Sequence, residues 1–84
     1  MKPVTVYTTD YCGFCVAAKT LLKSKDIPFQ EIDVSKDPAL RQDLVKRSGQ
    51  RTVPQIFIGD EAIGGFTELK ALSDRGELVT KLAD

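Results

Sequence analysis

Cys12 and Cys15 are the only cysteines in the 84 residues, with Gly13 and Phe14 between them. Thiols three residues apart at a helix start share one face and lie within reach of a disulfide. This pair sits where an extended run, Val4 to Thr8, gives way to helical spacing from Cys15 to Lys25. The amino end of a helix carries partial positive charge, which favours thiolate over thiol. A thiol of pKa ~8.5 is only about 3% ionised at pH 7, whereas one near ~5 is almost wholly ionised. The pattern therefore points to thiol–disulfide exchange. Cys12, at the loop end, is expected to be the more exposed of the two and is the candidate attacking thiolate. Cys15, on the face of Ala18 and Leu22, is expected to be the buried resolving thiol. With no histidine in the chain, a Cys–His pair is excluded as the activator.

Other uses of the pair are weaker. A structural disulfide here closes too short a loop to stabilise much. Zinc takes four ligands, and two cysteines without histidine supply half a site. No obligatory metal is expected.

Two further segments carry chemistry. Thr52-Val53-Pro54-Gln55 precedes an apolar strand. A proline is tolerated at a strand start, where its missing donor does least harm. If the Val53–Pro54 bond is cis, the turn presents the Val53 N–H and C=O to an extended peptide-like ligand; taken alone, the sequence favours trans. Gly64-Gly65-Phe66-Thr67-Glu68 is the other segment. Its glycines let backbone approach a ligand closely, and Thr67 is read as the N-cap of a helix whose free amides can hold a carboxylate. By itself this segment reads as a turn and an ordinary cap.

The elements that must position these groups follow from pattern. Val4 to Thr8 is β-branched and aromatic, hence a strand. Cys15, Ala18, Leu21 and Leu22 space a helix that Asp26 to Pro28 breaks. Phe29 to Val34 is a second strand. Asp37 and Pro38 cap and start a helix that Ser48-Gly49 ends. Gln55 to Ile58 and Glu61 to Ile63 form a hairpin around Gly59-Asp60. A third helix follows from Thr67, Arg75-Gly76 interrupts it, and Leu78 to Leu82 makes a last short helical turn. The order β-α-β-α-β-β-α predicts an α/β fold: a four-stranded mixed sheet flanked by three helices.

Length and composition bound the rest. Residues 1–84 are expected to form one domain. Hydrophobic residues make up 42% and charged residues 29%, as in a globular chain. Twelve basic residues balance twelve acidic ones, which offers no footprint for nucleic acid. Apolar runs fall far short of the roughly 20 residues of a membrane span. Met1-Lys2-Pro3 leads straight into a strand without a secretory signal, so a reducing cytoplasm is expected.

Taken together, Val6-Tyr7-Thr8, Cys12-Gly13-Phe14-Cys15, Lys46-Arg47-Ser48-Gly49, Thr52-Val53-Pro54-Gln55-Ile56-Phe57-Ile58 and Ile63-Gly64-Gly65-Phe66-Thr67 resemble a glutaredoxin of the short bacterial dithiol type. The resemblance covers nearly the whole chain, with every motif in order. It implies a thioredoxin-like fold, a cis Val53–Pro54 bond, and glutathione as co-substrate. It also implies that Cys12 bonds the glutathione sulfur and that Phe14 lines that site. Val53 pairs with the cysteinyl backbone, and Phe66 and Thr67 meet the γ-glutamyl carboxylate. Thr52, Pro54 and Gly65 complete the cradle. The implied partners are disulfide-bonded or glutathionylated proteins and, indirectly, glutathione reductase, with the chain acting as a monomer.

There are departures from the pattern. Gly13-Phe14 replaces the frequent Pro-Tyr. It matches monothiol relatives that resemble iron–sulfur carriers but have serine in the place of Cys15. A lysine common three residues before the first cysteine is Thr9 here, followed by Asp10, and Arg51 is the candidate to take over its carboxylate contact. Two rival readings follow: a dimer holding a [2Fe–2S] cluster on Cys12 and glutathione, or a redoxin served by thioredoxin reductase. The absence of tryptophan argues against the latter.

Overall fold

The computed structural model describes residues 1–83. The elements run β1 (Val4–Thr8), α1 (Gly13–Ser24), β2 (Gln30–Asp33), α2 (Pro38–Ser48), β3 (Gln55–Ile58), β4 (Glu61–Gly64), α3 (Phe66–Asp74) and α4 (Leu78–Leu82). They build a four-stranded sheet in the order β2-β1-β3-β4. β1 and β2 are parallel, with Val6 opposite Glu31, while β1–β3 and β3–β4 are antiparallel. This is the mixed sheet expected of a thioredoxin-like fold.

Strand alternation sorts side chains to two faces. Val4, Val6, Ile56 and Ile58 join Ala18, Leu22, Leu69, Leu72, Leu78 and Leu82 in one buried cluster, which α1, α3 and α4 cover. Tyr7 and Phe57 point the other way and pack with Val34 and Leu44 under α2. α2 is delimited as its sequence predicts. Asp37 Oδ1 accepts the Leu40 N–H at 3.0 Å, Pro38 opens the helix, and Gly49 closes it at φ +75°.

The structure corrects several expectations. Among the described residues four helices flank the sheet: the short helical turn expected over Leu78 to Leu82 stands beside the three expected helices as α4. Gly76, at φ +70°, ends α3, and Leu78 and Leu82, one turn apart and buried, fasten α4 as a helix of its own. The N-cap of α3 is Gly65, two residues before Thr67; Glu68 Oε1 accepts the Gly65 N–H at 2.7 Å and sets the helix start there. α1 begins at Gly13, ahead of Cys15, because Cys12 caps it. β2 spans only Gln30–Asp33, since β1 pairs with it from Gln30 onward, and Phe29 packs against the core instead. Among the described residues no helix is long and apolar enough to cross a membrane.

Candidate active site

Cys12 occupies the N-cap of α1 with extended backbone, φ −114° and ψ 103°. Its sulfur accepts the Cys15 N–H at 3.1 Å, taking the place that a serine or aspartate oxygen usually holds. The two cysteines are joined as a disulfide with Cα atoms 5.2 Å apart. They differ in access, as the sequence leads one to expect: Cys15 is 2% exposed, while Cys12 is half-buried. An incoming sulfur therefore reaches Cys12 first. The loop before it is braced from β2. Asp33 accepts from Ser35, and the Ser35 hydroxyl accepts the Asp10 N–H at 2.8 Å. The Ser35 side-chain hydrogen bond, with its backbone amide, holds the Asp33 carboxyl below the usual aspartate value.

The Cys12 Sγ lies 3.8 Å from the Val53 carbonyl oxygen. Val53 precedes a cis peptide bond to Pro54, the alternative that the sequence alone disfavours and the family resemblance implies. Beside it is a groove of about 160 Å³ lined by Phe14, Thr52, Val53, Pro54, Gly65, Phe66, Thr67 and Glu68. Seven of the eight residues the sequence singles out for glutathione thus share one wall. Phe14 stacks near Phe66, ring centroids 6.1 Å apart, and spans from the cysteine helix to the start of α3. Gly65 has a steric reason: a Cβ there would stand 3.4 Å from the Pro54 carbonyl oxygen. At the start of α3, the Phe66 and Thr67 amides lack intrahelical acceptors and face the direction in which anions bind.

Arg51, the eighth, is exposed and lines a separate groove with Pro38, Arg41, Gln42 and Val45. Thr9 and Asp10 bring no cation to Cys12. A cavity of about 540 Å³ lies at the other end of α1, between Ile27, Leu78, Val79 and Leu82. It is larger and more apolar, yet it holds no thiol, so volume does not mark the chemistry. Among the described residues no three of Cys, Asp or Glu gather as a metal site. A cluster on Cys12 would have to draw its other ligands from outside the chain.

Three residues that the sequence motifs include without a role make structural contacts, two of them at the groove and Arg47 on the α2 side of the sheet. Glu68 caps Gly65. Gln55 is 1% exposed and its Nε2 donates to the Thr52 carbonyl at 2.6 Å. Arg47 donates to the Tyr7 hydroxyl at 2.9 Å and lies over the Tyr7 and Phe57 rings. The Tyr7 bond is the main cause of its raised guanidinium pKa. The signal for Gln55 was present: a lone amide opening the apolar run Ile56-Phe57-Ile58.

The glutaredoxin family model matches residues 4–63. A glutaredoxin of Pseudomonas aeruginosa is 46% identical over 78 residues, covering 93% of each chain. Glutaredoxin 3 of Escherichia coli K12 is 47% identical over 78 residues, covering 93% of this chain and 94% of that one. Among solved structures, a buckwheat glutaredoxin–glutathione complex superposes with TM-score 0.88 at 33% identity, over 96% of this chain and 76% of that one. The solution structure of a Brucella melitensis glutaredoxin gives TM-score 0.87 at 46% identity, over 98% and 89%.

Proposed function

The chain belongs to the glutaredoxin family and is a thiol–disulfide oxidoreductase, and on that premise we propose that glutathione is its co-substrate, with Cys12 as nucleophile and Cys15 as resolving thiol. The observation that carries this reading is the placement of the groove. The Val53 carbonyl lies 3.8 Å from the half-buried Cys12 sulfur, and Val53 shares the groove with the residues that start α3. Further support comes from the fold's likeness to a glutaredoxin solved with glutathione.

In the proposed cycle, the Cys12 thiolate attacks the glutathionyl sulfur of a protein–glutathione disulfide. A Cys12–glutathione disulfide forms and the protein leaves as thiolate, which takes up a proton. A second glutathione thiolate then attacks the glutathionyl sulfur, releasing oxidised glutathione and regenerating the Cys12 thiolate. For a protein disulfide, Cys12 forms the mixed disulfide. Cys15 then attacks Cys12 to expel the reduced protein, leaving the Cys12–Cys15 bond for two glutathiones to reduce. Glutathione reductase would recycle the product, and a reducing cytoplasm would suit a single-domain monomer of this kind.

The helix start supplies the means of activation. Its dipole and the Cys15 N–H both stabilise charge on the Cys12 sulfur. Val53 would pair with the cysteinyl backbone, and the Phe66 and Thr67 amides would hold the γ-glutamyl carboxylate. Phe14, Thr52, Pro54 and Gly65 shape the wall. Arg51 is kept as a contact to the glycyl carboxylate, one that requires its flexible side chain to swing in from the neighbouring groove.

The test is deglutathionylation coupled to glutathione reductase, on wild type and the two single cysteine variants. Cys12→Ser is expected to abolish turnover, a loss of at least about a thousandfold, and Cys15→Ser to retain it. Full activity of Cys12→Ser overturns the assignment.

A further inference from the structure

We propose that Gln55 is a positioning residue for the groove. Its buried amide holds the Thr52 carbonyl and so sets how the Val53 backbone meets the cysteinyl part of glutathione. This inference rests on the glutathione reading above and adds a residue to it.

Gln55 stands at the head of β3, whose remaining residues are Ile56, Phe57 and Ile58. All four are buried, Gln55 to 1% exposure. An amide in such a place costs desolvation that an apolar side chain of like size avoids. The cost is only partly offset. Nε2 donates to the Thr52 oxygen at 2.6 Å, while Oε1 has no hydrogen-bond partner.

What Nε2 does touch explains its presence. The Thr52 carbonyl belongs to the peptide plane that also carries the Val53 N–H. The Val53 carbonyl is the atom 3.8 Å from the Cys12 sulfur. The side-chain bonds among Ser48, Gln50 and Thr52 stay within the loop's exposed stretch: Gln50 N–H to Ser48 Oγ at 3.1 Å, Ser48 Oγ to the Gln50 carbonyl at 3.2 Å, and Thr52 Oγ1 to Gln50 Oε1 at 3.5 Å. Gln55 ties that stretch to the rigid sheet, because its own backbone is paired with Tyr7 on β1. A ligand that pairs with Val53 through backbone groups depends on the angle of that peptide plane, since hydrogen bonds weaken steeply off axis.

The experiment compares wild type, Gln55→Met and Gln55→Leu, all in the full chain. Three readouts are used: steady-state kinetics with a glutathionylated peptide, a stoichiometric reaction of reduced protein with dithiodipyridine, and thermal unfolding. Both variants are expected to raise KM about three- to tenfold, the net worth of one hydrogen bond, with kcat nearly unchanged. Dithiodipyridine has no peptide to pair, so its rate should not move. The melting temperature should not fall, because an apolar side chain avoids the amide's desolvation cost. In amide NMR spectra of the free variants, the Val53 signal should shift while the Ile56 to Ile58 signals hold. An unchanged KM in both variants overturns the inference, as does an equal loss with peptide and dithiodipyridine. If wild type reduces other disulfides but never saturates with the glutathionylated peptide, the glutathione reading itself falls and takes this inference with it.

Discussion

On the face of the sheet packed by α1, α3 and α4, the strands meet an apolar layer in which Val6, Leu22, Ile56 and Leu69 are exposed by 1% or less. On the face packed by α2, a smaller cluster of Tyr7, Val34, Leu44 and Phe57 is finished by polar groups: the Arg47 guanidinium over two rings, and the Gln55 amide. The two faces each deliver half of the site. α1 brings Cys12 on a helix seated on the apolar layer. The polar face ends at the Thr52-Val53-Pro54 loop. Apolar packing is non-directional and supplies stability. Hydrogen bonds are directional and can hold one peptide plane at one angle. Division of labour follows: the thick face keeps the protein folded, and the thin face aims its backbone.

The largest expected effect lies on the thick face. Leu69→Ala removes a fully buried side chain and should lower unfolding free energy by about 3 kcal/mol, read from a urea midpoint. Arg47→Met should lower it by about 1–2 kcal/mol, for one hydrogen bond and the contact with two rings. Equal costs for the two would break the comparison. The smallest effect belongs to Glu31, at the rim of the thick face. It accepts from Lys19 at 3.0 Å and from Thr8 at 2.9 Å, which together hold its carboxyl below 4.5, the Lys19 bond first. A lowered carboxyl stabilises the fold above its unfolded value and loses that contribution as the pH falls through the folded one. The side chain is 39% exposed, so Glu31→Gln should cost only about 0.5 kcal/mol near neutrality. That difference should shrink as the pH drops below 4.5. A difference that stays level with pH assigns the effect to the Thr8 hydroxyl instead of to charge.

Most of this architecture is legible in the chain because local signals agree. β-branched residues in Val4–Thr8, the Asp37-Pro38 start and Gly49 stop of α2, and the Gly59-Asp60 turn each say the same as the tertiary fold. Misreadings occur where a side chain from elsewhere decides. Thr67 has the type of an N-cap, but the Glu68 carboxylate secures Gly65 and the helix starts earlier. α1 reaches back to Gly13 because a sulfur does an oxygen's work. The groove's lining was readable through family resemblance more than through physics, since Val53 and Phe66 carry no reactive group of their own. Arg51 looks like a groove residue by adjacency, yet the chain turns it toward α2. The bracing by Gln55 depends on which strand face it occupies, and that requires the register of Gln55 against Tyr7.

In the proposed cycle the sulfur that caps α1 is also the one that reacts, which ties the first turn of the helix to the chemistry. A thiolate is a charged acceptor for the Cys15 N–H, and a sulfur in a disulfide is a neutral one. Charge-assisted bonds are the stronger kind. Each reduction should therefore tighten the start of α1, and each oxidation let it fray. Hydrogen exchange at the Cys15 amide then serves as a clock hand on the cycle, recording the oxidation state of its neighbour with no added label.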